Sequence, residues 1–136
     1  MRVFLDTNVL FSGLYSFRGH PSTIVDLATS GRIEVVTSVD VLVELTRNLR
    51  LKAPHMLAGV SSFLTSAQPE FVNPDPAEVQ RLHNQGFGTD APIVAAAAGA
   101  EVDYFCSGDR RLLERVRRAR LDLRAASPAE LLSLLE

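Results

Sequence analysis

Cysteine is nearly absent from this chain. One cysteine in 136 residues, Cys106, leaves no internal disulfide to form and fits a reducing compartment. Its place in the apolar run Tyr104-Phe105-Cys106 reads as a buried structural thiol rather than a nucleophile. Long hydrophobic runs are missing too: no stretch approaches the roughly 20 uncharged apolar residues of a membrane span. Only Val3-Phe4-Leu5 separates Met1-Arg2 from Asp6, too short a run for a secretion signal, so a cytoplasmic protein without membrane association is expected. There is a single lysine, Lys52, and no Walker or dinucleotide fingerprint. The histidines His20, His55 and His83 stand in separate segments without metal-ligand spacing. Excess positive charge is lacking as well. The net charge of −2 argues mildly against a generic nucleic-acid binder.

What is present is a core-forming composition with an uneven charge pattern. Hydrophobic residues make up 46%, enough for one compact domain over residues 1–136 with no large disordered region. Of the 14 cationic residues, seven are arginines between Arg110 and Arg124, so one segment is strongly basic and the remainder acidic.

Strand and helix signals alternate along the chain. Residues 3–5 read as a short buried strand. A loop around Phe17 to Pro21 and a helix from about Ser22 follow, the helix stopping at Ser30-Gly31 with glycine past its end. Residues 33–36 read as a second strand. Ser38 has the form of an N-cap for a helix over 39–49, with Val41, Leu45 and Leu49 at i, i+4 and i+8. Pro54 opens another helix running to Leu64, Phe71-Val72 reads as a short strand, and 77–85 as a further helix. Residues 84–89 form a two-glycine loop (Gly86, Gly88) before an alanine-rich helix over 90–99. A strand over 102–106, an amphipathic helix over 109–119 and a last strand over 121–123 complete the pattern. Ser127-Pro128-Ala129-Glu130 is a capping box with proline at the first helical position, starting a helix to Leu135. Strands joined by helices imply an α/β fold with a parallel sheet covered on both faces, and function beyond the carboxyl ends of its strands.

That edge collects carboxylates. Asp6 follows the first strand and Asp109 follows the strand ending at Cys106. Asp90 opens the alanine-rich helix, and Glu44 borders the apolar stripe of the helix over 39–49. Singly, each has an ordinary role: Asp6 as a turn residue, Asp90 and Asp109 as helix caps, Glu44 as a partner of Arg47. Together, unbalanced by bases, they would repel one another and raise each other's pKa. A divalent cation with hard oxygen ligands resolves that, which points to Mg²⁺ or Mn²⁺.

Asp6-Thr7-Asn8, Val43-Glu44-Leu45, Thr89-Asp90-Ala91 and Ser107-Gly108-Asp109, in this order over nearly the whole chain, resemble the PIN domain. The stretch from Asp6 through Gly19, Pro21 and Ser38 to Glu44 resembles its toxin-like (VapC-type) subgroup. The resemblance implies a three-layer α/β/α domain with a central parallel sheet of four to five strands. It also implies a metal-dependent ribonuclease, often the toxin of a toxin–antitoxin pair. RNA is then the substrate, an antitoxin a partner and a homodimer the assembly, to which Leu131, Leu132, Leu134 and Leu135 could contribute if they do not complete the monomer's core. Matched residue by residue, Asp6, Glu44, Asp90 and Asp109 take the acidic catalytic and metal-binding positions, and Asn8 and Ser107 the supporting polar ones. One departure stands out: where many members place a further acid and a phenylalanine, this chain continues Arg110-Arg111, which weakens the expectation of a second metal.

Arg110 and Arg111, with Arg115 and Arg118, lie opposite Leu112, Leu113 and Val116. They form either a solvated face or an electrostatic track for phosphates. Rival readings are a catalytically degenerate PIN scaffold or RNA-binding module, and a metal-dependent phosphatase acting on small esters. A phosphoacceptor receiver domain needs an acidic pair near the first strand and a downstream lysine, a pattern the lone Lys52 does not supply.

Overall fold

A computed structural model describes all residues, Met1–Glu136. Five strands form one parallel sheet in the order β3-β2-β1-β4-β5. They are β1 (Arg2–Leu5), β2 (Glu34–Ser38), β3 (Glu70–Val72), β4 (Tyr104–Cys106) and β5 (Ala125–Ala126). Eight α-helices flank the sheet: α1 (Thr7–Tyr15), α2 (His20–Thr29), α3 (Val39–Lys52), α4 (Leu57–Ala67), α5 (Pro76–Leu82), α6 (Ala91–Gly99), α7 (Arg110–Arg118) and α8 (Pro128–Leu135). The expected α/β architecture is the observed one.

The core follows from the sequence pattern. Val3, Phe4 and Leu5 of β1, and Phe105 and Cys106 of β4, are fully buried, as central parallel strands must be when helices cover the sheet. The Phe4 and Phe105 rings meet at 5.9 Å. Helix α6 is almost all small residues, so Ala95, Ala96 and Ala97 bury their backbone close against the elements beneath. Ser38 caps α3 by accepting from the Val41 N–H at 3.3 Å, and Ser127 and Glu130 close the capping box of α8. Leu131 is fully buried while Leu132 and Leu135 pack against the core, so α8 completes the monomer's own interior and leaves Leu134 half exposed.

Several boundaries differ from the sequence reading, and one helix was not anticipated. Residues 7–15 form α1, because the Asp6 carboxylate caps the Thr7 N–H at 2.8 Å and starts a helix where the strand ends. Gly13 lets α2 approach α1: a Cβ there would lie 2.4 Å from Val25 Cγ2 and 2.7 Å from the Pro21 carbonyl oxygen. The last strand is Ala125–Ala126, not 121–123. The chain turns at Arg120 (φ 52°), Leu121 and Leu123 pack partly buried on the core, and the ladder to β4 runs through Arg124 and Ala126. Pro54 opens a 3₁₀ turn before α4, and α5 ends at Leu82. The two-glycine segment is wound into a π turn (His83–Phe87) and a 3₁₀ turn (Gly88–Asp90), with positive φ at Gly86 and Gly88.

Candidate functional site

In this strand order the chain moves from β1 outward through β2 to β3, then crosses back to β4 on β1's other side. The order reverses there, which makes the crevice beyond the carboxyl ends of β1 and β4 the favoured place for a ligand. Leu5 pairs with Cys106, so the next residues, Asp6 and Ser107, leave the sheet side by side.

A hydrogen-bonded web joins the two strand ends. Ser107 donates its hydroxyl to Asp6 Oδ2 at 2.7 Å and accepts from the Asp109 N–H at 3.0 Å. The Asn8 amide donates to Asp6 Oδ2 at 3.4 Å and to Ser107 Oγ at 3.3 Å, and its oxygen accepts from the Gly108 N–H at 2.7 Å. The space for this is made by Gly108, where a Cβ would stand 3.2 Å from Asn8 Oδ1. Asp109 caps α7 through the Leu112 N–H at 3.1 Å. The ordinary capping role expected of Asp109 is therefore real, and Asp6, expected as a turn residue, caps α1 instead, but these roles do not exhaust the carboxylates. Asp6 accepts three hydrogen bonds of about four it has sites for, and Asp109 uses one oxygen in its cap. Asp90, expected as a possible cap, makes no capping bond.

Asp6, Glu44, Asp90 and Asp109 open into one cavity of about 230 Å³, together with Asn8 and Thr7. Its electrostatics are those of crowded acids. Burial pushes the Asp6 carboxyl up to about 6 against the Ser107 and Thr7 hydrogen bonds, with Glu44 and Asp90 pushing the same way. Glu44 is raised by burial and then by Asp90, with Arg47 opposing. Asp90 is raised by burial and then by Asp109, with Arg115 opposing. The Cys106 thiol beneath is pushed up to about 12 by burial and by Asp6, as an inert structural cysteine should be.

Residues 2–111 match the PIN domain family, a span that holds all four acids. The chain belongs to the PIN-domain family. No curated protein matches it significantly. A chain of VapBC2 from Rickettsia felis, whose structure was solved bound to a DNA fragment from the VapBC2 promoter, has the same fold. It superposes with a TM-score of 0.67 over 93% of this chain and 98% of that one, at 15% identity.

The donor set of this PIN domain suits a hard divalent cation. It offers carboxylate oxygens from four segments, and the buried Thr7 hydroxyl oxygen at the same cavity wall has no hydrogen-bond partner. No three His, Cys, Asp or Glu side chains are already drawn into a cage, so the acids line the cavity from several sides rather than converge on a point.

Sequence reasoning missed the rest of the cavity. Phe11 and Ser12 of α1, and Asn48 and Lys52 of α3, continue its walls away from the acids. Glu44, Asn48 and Lys52 are spaced i, i+4 and i+8, so the signal was present, but it needed α3 to run to Lys52 rather than stop at 49. The sequence pattern places Arg115 on the basic face of α7. Its guanidinium reaches Asp90 at 3.7 Å, across from the end of α6. Arg110 and Arg111 are exposed on the first turn of α7, next to Asp109 but outside the cavity lining. Gly86 and Gly88 do not line the cavity, while Phe87 between them is buried. No helix is long and apolar enough to cross a membrane.

Proposed function

We propose that this PIN domain is a metal-dependent ribonuclease that hydrolyses RNA phosphodiesters endonucleolytically, acting as the toxin of a toxin–antitoxin pair. One observation carries the reading: Asp6, Glu44, Asp90 and Asp109, from four separate segments, face a single cavity at the sheet's switch point. Family membership and the fold shared with VapBC2 support it. Asp6, Asp90 and Asp109 would hold Mg²⁺ or Mn²⁺. Such an ion neutralises charge on the phosphate and acidifies a bound water. Ser107 and Asn8 fix the Asp6 carboxylate in rotation, which a ligand needs if it is to stay in place. Glu44, held partly buried with its pKa raised, accepts a proton from the attacking water more readily than an exposed glutamate. Arg110 and Arg111 would draw in the phosphate chain from the α7 side. An antitoxin and a second copy of the chain are the partners this reading proposes.

One observation favours a second reading, a PIN scaffold that binds RNA without cleaving it. Arg115 already gives Asp90 a cationic partner from the protein itself. Cleavage separates the two. Purified protein given a mixed structured and single-stranded RNA pool should cut it with Mg²⁺ or Mn²⁺, be silent in EDTA, and lose activity in Asp90→Asn. RNA bound but uncut under every metal would favour the scaffold.

A further inference from the structure

We infer that the cavity continues into a nucleobase-stacking subsite built by Phe11, Tyr15 and Lys52, which selects single-stranded RNA. The inference rests on the nuclease reading for its substrate, but its geometry is independent of the acids. The two helices that wall the cavity change character along their length. On α3 the facing residues run Glu44, Asn48, Lys52, from anion through amide to cation, over about 12 Å at 1.5 Å per residue. On α1 the wall runs from Thr7 and Asn8 to Phe11 and Ser12, and the Phe11 ring stacks on Tyr15 at 5.6 Å with 10° between planes. The acid end suits an ion and the scissile phosphate; the far end suits a flat ring and the next phosphate.

Two observations say that this end is unoccupied by the protein's own packing. Tyr15 is 55% exposed and Phe17, just beyond, 93%, whereas Phe4, Phe63, Phe87 and Phe105 are buried. Lys52 makes no salt bridge, and its ammonium sits over the Phe11 ring, 5.7 Å from the centroid. A lone i, i+4 aromatic pair is an ordinary helix contact. Here Phe11 lines the acidic cavity under an unpaired lysine and Tyr15 extends the aromatic surface just beyond its rim, so a base can replace the ammonium on Phe11 while the ammonium moves to a phosphate. Paired bases in a duplex present no free face, so the subsite excludes double-stranded RNA.

The test is fluorescence anisotropy with a labelled single-stranded RNA oligonucleotide, its duplex, and an abasic strand of equal length, with Ca²⁺ in place of Mg²⁺. Tyr15→Ala, and Phe11→Leu to keep the packing volume, should each weaken single-strand binding roughly 5- to 100-fold, with melting temperatures near wild type. Both should leave the already weak abasic binding unchanged. Lys52→Ala should lower the salt slope by about one, and Lys52→Arg should restore it. Single-strand binding unchanged in both aromatic variants, or no preference over duplex in the wild type, overturns the subsite and leaves the aromatic face to a protein partner. Cleavage run in parallel keeps the two readings apart. A protein that binds through these residues without cutting refutes only the nuclease, and one that cuts with binding unaltered in the variants refutes only the subsite.

Discussion

The two ends of the same strands treat their acids in opposite ways. At the amino end, Arg2 gathers Glu34 at 3.2 Å, Glu70 at 3.0 Å and the Ala100 carbonyl at 3.0 Å, and its backbone N–H binds Asp103 at 2.7 Å. Each of these three carboxylates has a protein partner, and Glu70 in turn raises the Arg2 pKa. At the carboxyl end four acids share one cavity, with a single guanidinium at 3.7 Å from one of them. Where the fold needs only cohesion, acids are paired. Where three of four acids crowd one cavity without a cationic partner, folding alone does not account for them, because like charges partly withdrawn from water destabilise the native state.

Four expectations sharpen or break that contrast. The largest effect belongs to Asp6→Asn, which keeps the shape and the α1 cap. RNA cleavage should fall on the order of 100-fold or more if this carboxylate holds the ion. Urea unfolding in EDTA at pH 7 should show the same variant no less stable than wild type, because removing a buried charge with its pKa near 6 offsets the Ser107 and Asn8 hydrogen bonds that an amide nitrogen cannot accept. Loss of both activity and stability would mean that Asp6 serves the fold.

Next comes pH. Between its ordinary value of 3.8 and about 6, folded Asp6 keeps a proton that the unfolded chain has released. Its contribution to stability is therefore present at pH 4 and lost as pH rises through 6, with Glu44 and Asp90 shifted in the same direction. Metal-free protein should lose this contribution between about pH 4 and pH 6, and Mn²⁺ should raise the melting temperature more at pH 7 than at pH 5. A flat profile in EDTA would remove the case for strained acids.

Ser107→Ala takes the hydroxyl from both Asp6 and the Asp109 N–H. Metal affinity, read by calorimetry, should drop roughly 10- to 100-fold, with about 1–3 kcal/mol of stability lost. The smallest effect is at the other end: Arg2→Gln should cost up to about 1 kcal/mol, vanish in high salt and leave cleavage untouched. A large activity change there would end the separation of the two ends.

The acids were legible in the sequence because Asp6 and Asp109 follow strands and Asp90 opens a helix, so topology brings them to one edge, while Glu44 is marked by its place beside the apolar stripe of α3. The caps at Ser38 and Ser127 were legible because a side-chain oxygen at a fixed offset is a local signal. Helix α1 was not. Val9-Leu10-Phe11 continues an apolar run, and the helix buries residues on more than one side, which blurs its 3.6-residue period. The last strand was misplaced because Leu121-Asp122-Leu123 alternates like a strand, while the real pairing falls on two alanines chosen by the ladder to β4. Arg115 against Asp90, and Lys52 over Phe11, are long-range meetings that no local pattern encodes.

The most direct measurement is a calorimetric Mn²⁺ titration at pH 7 of the wild type and Asp109→Asn. Asparagine retains the α7 cap at that exposed position, so folding is preserved. The account predicts Mn²⁺ binding by the wild type and affinity at least tenfold weaker in the variant, with equal melting temperatures in EDTA. Equal affinity in both, or no binding to the wild type, would contradict a metal site built on these acids.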